Sequence, residues 1–489
     1  MEKSHPKRTK FPVKIRPFST SRFRFARCIL TTLVTSLAFM PHAQADPDRI
    51  QPYAANPRYW QYKGQPVLLL GGTVKDCLFQ IPDLAAHLDL LQAVGGNYVR
   101  NTMSDRRFYG YEIKAFHQAA DGLYDLNRWN PAYWQRFADL LRWTAERGII
   151  VQIEVWDRFD HSQQHWQEGP FNPANNINYT VEESGLATDY PAHPGGNRQP
   201  FFYTVPPLHN NQVVLPYQQA FVDQVLEHSL AYDHVLYCMD NETSGDPAWG
   251  AYWNDYLKER AQRAGKTVET TEMWDEWDVR GQTHRATFDH PEQYSFIDIS
   301  QNSWQREQTN WDHAQWVWQY IAAQPRPINS TKIYGAQTHR EQRRGIDDRH
   351  ATECFWRNLI GGLAASRFHR PDSGLGLSPQ AQAHIRSGRM LTEVFDFFNA
   401  EPDSDSVLLS DRAANEAYLS RIPGRQYALY FTDGGAVGLD LTGAAGTFQV
   451  QWLDIAASTW TAAADLNGGR LAQLAPPRSG PWVALLTRR

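Results

Sequence analysis

Between residues 66 and 369, short apolar runs alternate with longer stretches whose apolar residues recur at helical spacing. These are the signatures of strands and of amphipathic helices respectively. The first strand, β1, is expected in Pro66-Val67-Leu68-Leu69-Leu70, after a short hairpin in which Lys63-Gly64 turns the chain from Arg58-Tyr59-Trp60-Gln61-Tyr62. Asp83 can then cap a helix that carries Leu84, Leu88, Leu91 and Val94 on one face and stops at Gly95-Gly96. Residues 97–103 predict β2, and Trp134, Phe137, Leu140, Leu141 and Thr144 mark a helix over 131–148. The same reading puts β3 at 149–156, β4 at 234–240, β5 at 267–273, β6 at 296–300, β7 at 327–333 and β8 at 365–369. Helices over 216–232, 249–264, 311–323, 349–364 and 379–398 fill the intervals. Strands that alternate with helices pair in parallel, and eight of them predict an α/β fold of the (β/α)8 TIM-barrel type.

Residues 157–215, rich in Pro, Asn, Gly and aromatics, interrupt the alternation. A connection that long inside a compact domain is usually functional, and it is expected over the barrel mouth as a lid or wall. From Asp403 onward the pattern changes to short runs separated by Gly and Asp, such as Tyr427-Ala428-Leu429-Tyr430-Phe431, Phe448-Gln449-Val450-Gln451-Trp452 and Trp482-Val483-Ala484-Leu485-Leu486. That spacing predicts a small antiparallel β-sandwich. The expected division is a barrel over 46–402 and a sandwich over 403–489.

Residues 1–45 stand apart, because a basic stretch from Lys3 to Arg27 precedes an apolar one from Cys28 to Met40 and then Ala43-Gln44-Ala45. This is the pattern of a secretory signal peptide with an A-x-A cleavage site, and its apolar part is well short of the roughly 20 residues that span a bilayer. The mature chain is expected to begin at Asp46, to carry no membrane span, and to be secreted or periplasmic. A net charge of −5 and the lack of Lys/Arg runs after the leader argue against a nucleic-acid partner. Cys77, Cys238 and Cys354 are too scattered for a disulfide framework or a metal-ligand pattern. The 18 Trp and 22 Tyr change the picture more, since flat rings with a polar edge suit sugar faces and hydroxyl rims, although large cores use them too.

Candidate chemistry gathers at the C-terminal ends of the strands, the end of such a barrel that carries active sites. Met239-Asp240-Asn241-Glu242-Thr243 closes β4, so that Glu242 would stand at the mouth with the Asn241 amide beside it. A carboxyl group there, next to an amide that can bind a hydroxyl, fits the general acid of glycoside hydrolysis; the plain alternative is a helix cap. Asp76 follows β1, Asn101 and Asp105 follow β2, Gln301 and Asn302 follow β6, and His369 and Arg370 follow β8. Trp156, Trp274 and Trp304 offer stacking surfaces. His161 and His165 lie beside Asp157 and Asp160, but in the long loop rather than on a helix, so no metal site is expected, and no cofactor.

Asn97-Tyr98-Val99-Arg100 at β2, Asn241-Glu242 at β4 and Arg367-Phe368-His369-Arg370-Pro371 at β8 occur in an order that resembles the clan A glycoside hydrolases. More narrowly, the chain resembles the apiosidase-like barrels that carry a C-terminal sandwich named for collagen binding. Gln426-Tyr427-Ala428-Leu429-Tyr430-Phe431 with Gly480-Pro481-Trp482-Val483 looks like that appended domain. The resemblance covers nearly the whole mature chain. It implies hydrolysis of O-glycosyl bonds in a polysaccharide or oligosaccharide, with Glu242 as acid/base and Arg100 as partner of a nucleophile on β7. For the sandwich, a brace against the barrel is expected rather than collagen binding.

The nucleophile does not carry over, because β7 reads Pro327-Ile328-Asn329-Ser330-Thr331-Lys332-Ile333-Tyr334-Gly335 and places Lys332 where a Glu would be expected. Unless Lys332 turns outward, it converges with Arg100, and two cations about 4 Å apart repel by roughly 4 kcal/mol at an effective dielectric of 20. Something anionic is therefore expected between them: a carboxylate such as Glu272, Glu154 or Asp76, or an acidic substrate such as a uronate or sulfated sugar. Strand alternation puts Gln152, Glu154 and Trp156 on one face of β3, and Val268, Thr270 and Glu272 on one face of β5. Glu154 and Glu272 thus compete for the second catalytic role, with Asp157 behind them. The expectation is a glycoside hydrolase acting on a carbohydrate, an acidic one on the strength of Lys332 and Arg100. The alternative from another class is a non-catalytic glycan-binding protein on a degenerate barrel.

Overall fold

The computed structural model describes residues 47–489 apart from 108, 197 and 336–344, and the expected leader lies outside the described residues. Strands β1 (Leu69–Gly72), β2 (Tyr98–Thr102), β3 (Ile150–Asp157), β4 (Val235–Asn241), β5 (Glu269–Thr271), β6 (Ile297–Asp298), β7 (Ile328–Ile333) and β8 (Ala365–Phe368) pair in parallel. Their spatial order is β5-β4-β3-β2-β1-β8-β7-β6. The two ends of that path meet where the Ser295 N–H donates to the Thr270 carbonyl at 3.1 Å and the Thr270 N–H to Ser295 Oγ at 2.9 Å, which closes the barrel. Each strand is followed by a helix: α1 (Leu84–Ala93), α2 (Pro131–Arg147), α3 (Leu215–Ser229), α4 (Pro247–Arg263), α5 (Gln282–Phe288), α6 (Glu307–Tyr320), α7 (Asp348–Ile360) and α8 (Pro379–Thr392). Of these eight, periodicity missed α5, whose 7 residues are too few for a repeat to show.

β1 begins later than expected, because Gln65–Val67 pairs with Trp60–Tyr62 in the preceding hairpin and the strand runs on into Gly71 and Gly72. Gly71 allows this: a Cβ there would lie 1.9 Å from the Tyr98 carbonyl oxygen of β2, so any side chain would force the first two strands apart. Inside the barrel the inward residues are polar and bond to one another, although Gln152 Nε2 and Arg367 Nε find no partner among the described residues. The Tyr98 hydroxyl donates to Gln152 Oε1 at 2.7 Å, Trp60 Nε1 donates to Asn329 Oδ1 at 2.9 Å, and Arg367 donates to the Thr331 carbonyl and to Thr73 Oγ1. Arg367, Gln152 and Asn329 are completely buried, where each would be costly without such partners.

The long connection is a buttress more than the expected lid. His161 stacks on Phe201 with ring centroids 3.9 Å apart, and Phe201 and Phe202 pack on Trp156 of β3 and Trp249 of α4 at 5.7 and 5.1 Å. At the mouth it is held through Gly195, whose carbonyl accepts from Ser244 Oγ at 3.0 Å.

Two antiparallel sheets follow the barrel. One holds, in spatial order, Glu401–Pro402, Ala417–Ile422, Gln426–Phe431, Trp482–Arg488, Thr447–Asp454 and Thr459–Trp460; the other holds Leu409–Ser410, Val437–Asp440 and Leu471–Leu474. Alternation divides the larger sheet: Leu419, Leu429, Phe431 and Leu486 face the smaller sheet, while Tyr418, Ala428, Tyr430, Val483 and Leu485 join the barrel's apolar core. Both faces are buried, which is why these strands read as nearly unbroken apolar runs. Tyr430 stacks on Trp356 of α7 at 5.7 Å, and Tyr418 lies 4.7 Å from Trp311 of α6. Among the described residues no helix is long and apolar enough to cross a membrane.

Candidate functional site

Arg100 on β2 is fully buried and is the hub of the barrel mouth. Its Nε donates to Glu154 Oε1 at 2.5 Å and its Nη2 to Glu154 Oε2, while Nη1 reaches Asp76 and Nη2 also reaches Asn241 Oδ1 at 2.8 Å. Lys332 on β7 turns inward as well: its ammonium donates to Asn241 Oδ1 and stands 2.8 Å from Glu242 Oε1. The two cations therefore share one amide oxygen, and each is backed by carboxylates of its own. The anion expected between them comes from the protein.

Glu242 follows the last residue of β4 with φ +50°. That left-handed conformation costs a non-glycine residue about 1–3 kcal/mol and persists only where the surroundings enforce it. Here they do: Oε1 accepts from Lys332 Nζ, from Gln301 Nε2 at 2.8 Å and from the Tyr334 hydroxyl. Among the described residues nothing hydrogen-bonds Oε2, and the side chain is 14% exposed. Burial alone would raise the pKa of this carboxyl group, but Lys332 and then Tyr334 outweigh burial and hold it well below the usual carboxylate range. The proton-donor role expected of Glu242 meets an environment that keeps it an anion.

Of the two carboxylates expected to complete the site, neither offers an open oxygen in the mouth. Glu154 has both oxygens on Arg100 and is fully buried, so it serves as that cation's counter-charge. Glu272 faces outward: Oε1 accepts the backbone N–H groups of Asp240 and Met273 at 2.9 and 3.0 Å, and Oε2 points at α4, where a Cβ on Gly250 would lie 2.2 Å away. The face shared by Thr270 and Glu272 is the outer one, and a period of two leaves no middle ground between the faces.

β3 corrects another expectation, because its alternation slips after Glu154. Asp157 turns in, accepting from Asn241 Nδ2 at 3.0 Å and Arg106 Nη2 at 2.7 Å, while Trp156 turns out against Trp249 and Trp253 at 5.9 and 5.2 Å. Trp274 also turns out, its indole N–H donating to Thr287 in α5 at 2.7 Å, so neither tryptophan is a stacking surface in the mouth. Asn101 is occupied by the Phe79 N–H at 2.9 Å, and Asn302 exchanges amide-to-carbonyl bonds with Asn310 in α6 at 2.8 and 2.9 Å. Both amides hold backbone, not ligand.

At the opposite rim, Asp76 accepts from Arg100 and Arg370, with His369 Nδ1 at 3.7 Å. Burial, then Arg100, pushes the His369 imidazole well below its usual pKa, so it is neutral at neutral pH. Its ring meets Tyr334 edge-on at 5.0 Å. Tyr334 was missed by sequence reasoning although its signal was present, two positions after Lys332 and on the same face. Trp304 stacks on Tyr334 at 4.5 Å, and Trp277, 41% exposed, stacks on Trp304 at 5.4 Å. Together they form an aromatic wall from the Glu242 carboxylate to solvent.

Behind the mouth, Asp240 and Glu272 form a buried acidic pair beside Arg158. Burial raises both, Asp240 to about 7 and Glu272 well above its usual range. An unfolded Asp loses its proton near pH 4, whereas folded Asp240 keeps it to about 7. The folded state binds more protons across that interval, so stability falls as pH rises from about 4 through 7. The thermal midpoint is expected to drop between about pH 5 and pH 8 and to flatten in Asp240→Asn; an equal slope in both proteins would contradict the pair's role.

No family model matches the chain, and no curated protein matches its sequence. Its fold does match solved structures. A glycoside hydrolase family 5 protein from Bacteroides vulgatus is similar with a TM-score of 0.60 and 14% identity, over 90% of this chain and 93% of that one. A protein described as a glycoside hydrolase matches at 0.62 and 12%, over 90% and 97%. A second Bacteroides vulgatus glycoside hydrolase matches at 0.58 and 11%, over 91% and 83%. These likenesses define the class of fold, a (β/α)8 barrel with C-terminal antiparallel sheets.

Proposed function

We propose that this protein hydrolyses O-glycosidic bonds in a polysaccharide or oligosaccharide, with the Glu242 carboxylate facing the reacting bond. The observation that carries the reading is the state of that carboxylate: three donors pin Oε1, Oε2 has no bond from any described residue, and the Tyr334 that holds Oε1 begins an aromatic wall running through Trp304 to the exposed Trp277. Aromatic faces suit the apolar sides of sugar rings. An ionised, immobilised carboxylate suits attack on the anomeric carbon or stabilisation of the positive charge that develops there. The order of motifs, which resembles that of clan A hydrolases and more narrowly of apiosidase-like barrels, points to the same residue.

The case for an acidic substrate weakens, because Arg100 and Lys332 are spent on Glu154, Asp76 and Glu242. Reducing-end release from xylan, mannan, cellulose, polygalacturonate and alginate tests both points. Release from at least one glycan is expected, with no preference for the acidic ones; preference for uronates would restore the acidic reading. The Lys332–Glu242 ion pair favours a second reading, a glycan-binding protein whose carboxylate is neutralised. It predicts sugar binding by calorimetry with no release from any glycan. The leader makes the periplasm or the exterior the proposed location, and N-terminal sequencing of exported protein should begin at Asp46.

A further inference from the structure

We infer that the cleft between the barrel and the C-terminal sheets is a second carbohydrate site, where His384 and Tyr430 present hydrogen-bonding groups to a neutral sugar unit of the glycan; the kind of ligand rests on the hydrolase reading. The cleft has a volume of about 490 Å³, within the range of small-molecule sites. On the barrel side it is built from α7, which gives Arg349 and Glu353, and from α8, which gives Pro379, Ala383 and His384. All five lie in the first two turns of their helices. Because each helix follows the C-terminal end of its strand, the cleft lies toward the mouth end of the barrel, outside the ring of strands. Tyr430, Asp433, Ala456 and Pro481 close it from the side of the sheets.

Two buried polar groups are left open there. Trp356 Nε1 donates to His384 Nδ1 at 2.9 Å, and burial pushes the pKa of the imidazole down to about 3, so the ring is neutral with its one proton on Nε2. His384 is 4% and Tyr430 1% exposed, yet among the described residues nothing hydrogen-bonds His384 Nε2 or the Tyr430 hydroxyl. Neither atom is sealed from solvent, so each opens into the cleft that both residues line. Polar groups at a packed junction normally bond across it; these two do not. Trp356 holds both in place without a ligand, since its ring also stacks on Tyr430.

The surroundings select the chemistry of the ligand. The charges of the cleft are spent on one another: Arg349 stands 2.8 Å from Glu353 and 3.1 Å from Asp433, and Glu353 also meets Arg357 at 3.0 Å. A charged ligand would have to break these pairs, whereas a neutral one leaves them intact. Pro379, Ala383, Ala456 and Pro481 offer apolar surface, the imidazole offers a donor, and the phenol both donates and accepts. A pyranose has the matching combination, apolar faces edged by hydroxyls. A glycan held here and in the mouth would be gripped at two points toward one end of the barrel, which raises its effective concentration at Glu242.

The test is calorimetry on the full-length protein carrying Glu242→Gln, which blocks turnover, with hexasaccharides of xylan, mannan, cellulose, polygalacturonate and alginate. Tyr430→Phe removes a hydroxyl that bonds no described residue, and Ala456→Trp fills the cleft from an exposed position, so neither disturbs the packing of the core. Binding at the cleft is expected for at least one neutral hexasaccharide, weakened about three- to tenfold by Tyr430→Phe and lost in Ala456→Trp, with binding in the mouth unchanged. Binding that neither substitution alters, or a cleft that takes only the uronate chains, would overturn the inference and leave the hydrolase reading standing. Binding lost in Ala456→Trp by a protein whose wild type releases nothing from any glycan would remove the hydrolase reading and keep the second site. No binding of any hexasaccharide would overturn the second site, and release of sugar by the wild type would then still support the hydrolase reading.

Discussion

Replacing Glu242 by Gln should lower kcat by about 10²–10⁴-fold or more, the loss expected when the carboxylate that faces the reacting bond is neutralised. The substitution keeps the size of the side chain and an oxygen able to accept from Gln301 and Tyr334, so the geometry of the mouth is largely preserved. What it removes is the negative charge on the carboxylate and, among the described residues, the only counter-ion within 3 Å of Lys332. A buried ammonium left with a neutral partner is destabilising, so the variant should also unfold more easily. Adding Lys332→Met to Glu242→Gln should recover much of that stability without recovering activity. Kinetics and denaturant titration of the single and double variants separate the two effects; activity that returned with stability would mean that Glu242 acts only as an ion-pair partner.

Lys332→Met alone should act differently. It removes the largest favourable influence on the Glu242 carboxylate while leaving burial in place, so the pKa of Glu242 rises. In the wild type the depressed value keeps Glu242 ionised well into the acid range, and its stabilising contribution is lost only as pH falls through that low value. In the variant both activity and stability should fail at higher pH, with the acid limb of kcat/KM displaced upward and the loss greater near pH 5 than near pH 8. Breaking a buried pair on one side costs about 3–5 kcal/mol, and Tyr334 and Gln301 keep this case near the lower end. An unmoved acid limb would show that Lys332 does not set the charge of Glu242.

The barrel was legible because its two periods, 2 and 3.6, are distinct and repeat eight times; α5 escaped because seven residues hold no repeat. The convergence of Lys332 and Arg100 was legible too, since a lysine cannot stand inside a barrel mouth without an anion. Its partner is hidden from a sequence reading, because Glu242 at the end of β4 reads as a proton donor and not as the counter-ion of a lysine on β7. The faces of Trp156 and Glu272 were illegible for a simpler reason: alternation states which residues share a face but not which face is inner, and β3 slips by one position just where it matters. Asn101 and Asn302 stand at strand ends as binding residues would, yet spend their amides on backbone groups that no pattern announces. Tyr334 and Trp277 were readable only once Trp304 linked them into one wall.

The most direct test of the central claim is to run the reaction in ¹⁸O-labelled water and weigh the products by mass spectrometry, for the wild type beside Glu242→Gln. Hydrolysis at the anomeric carbon predicts one ¹⁸O at each new reducing end and none on the departing hydroxyl, with product nearly absent in the variant. Bound glycan recovered intact and unlabelled from the wild type, or cleavage whose rate the variant does not change, would contradict it.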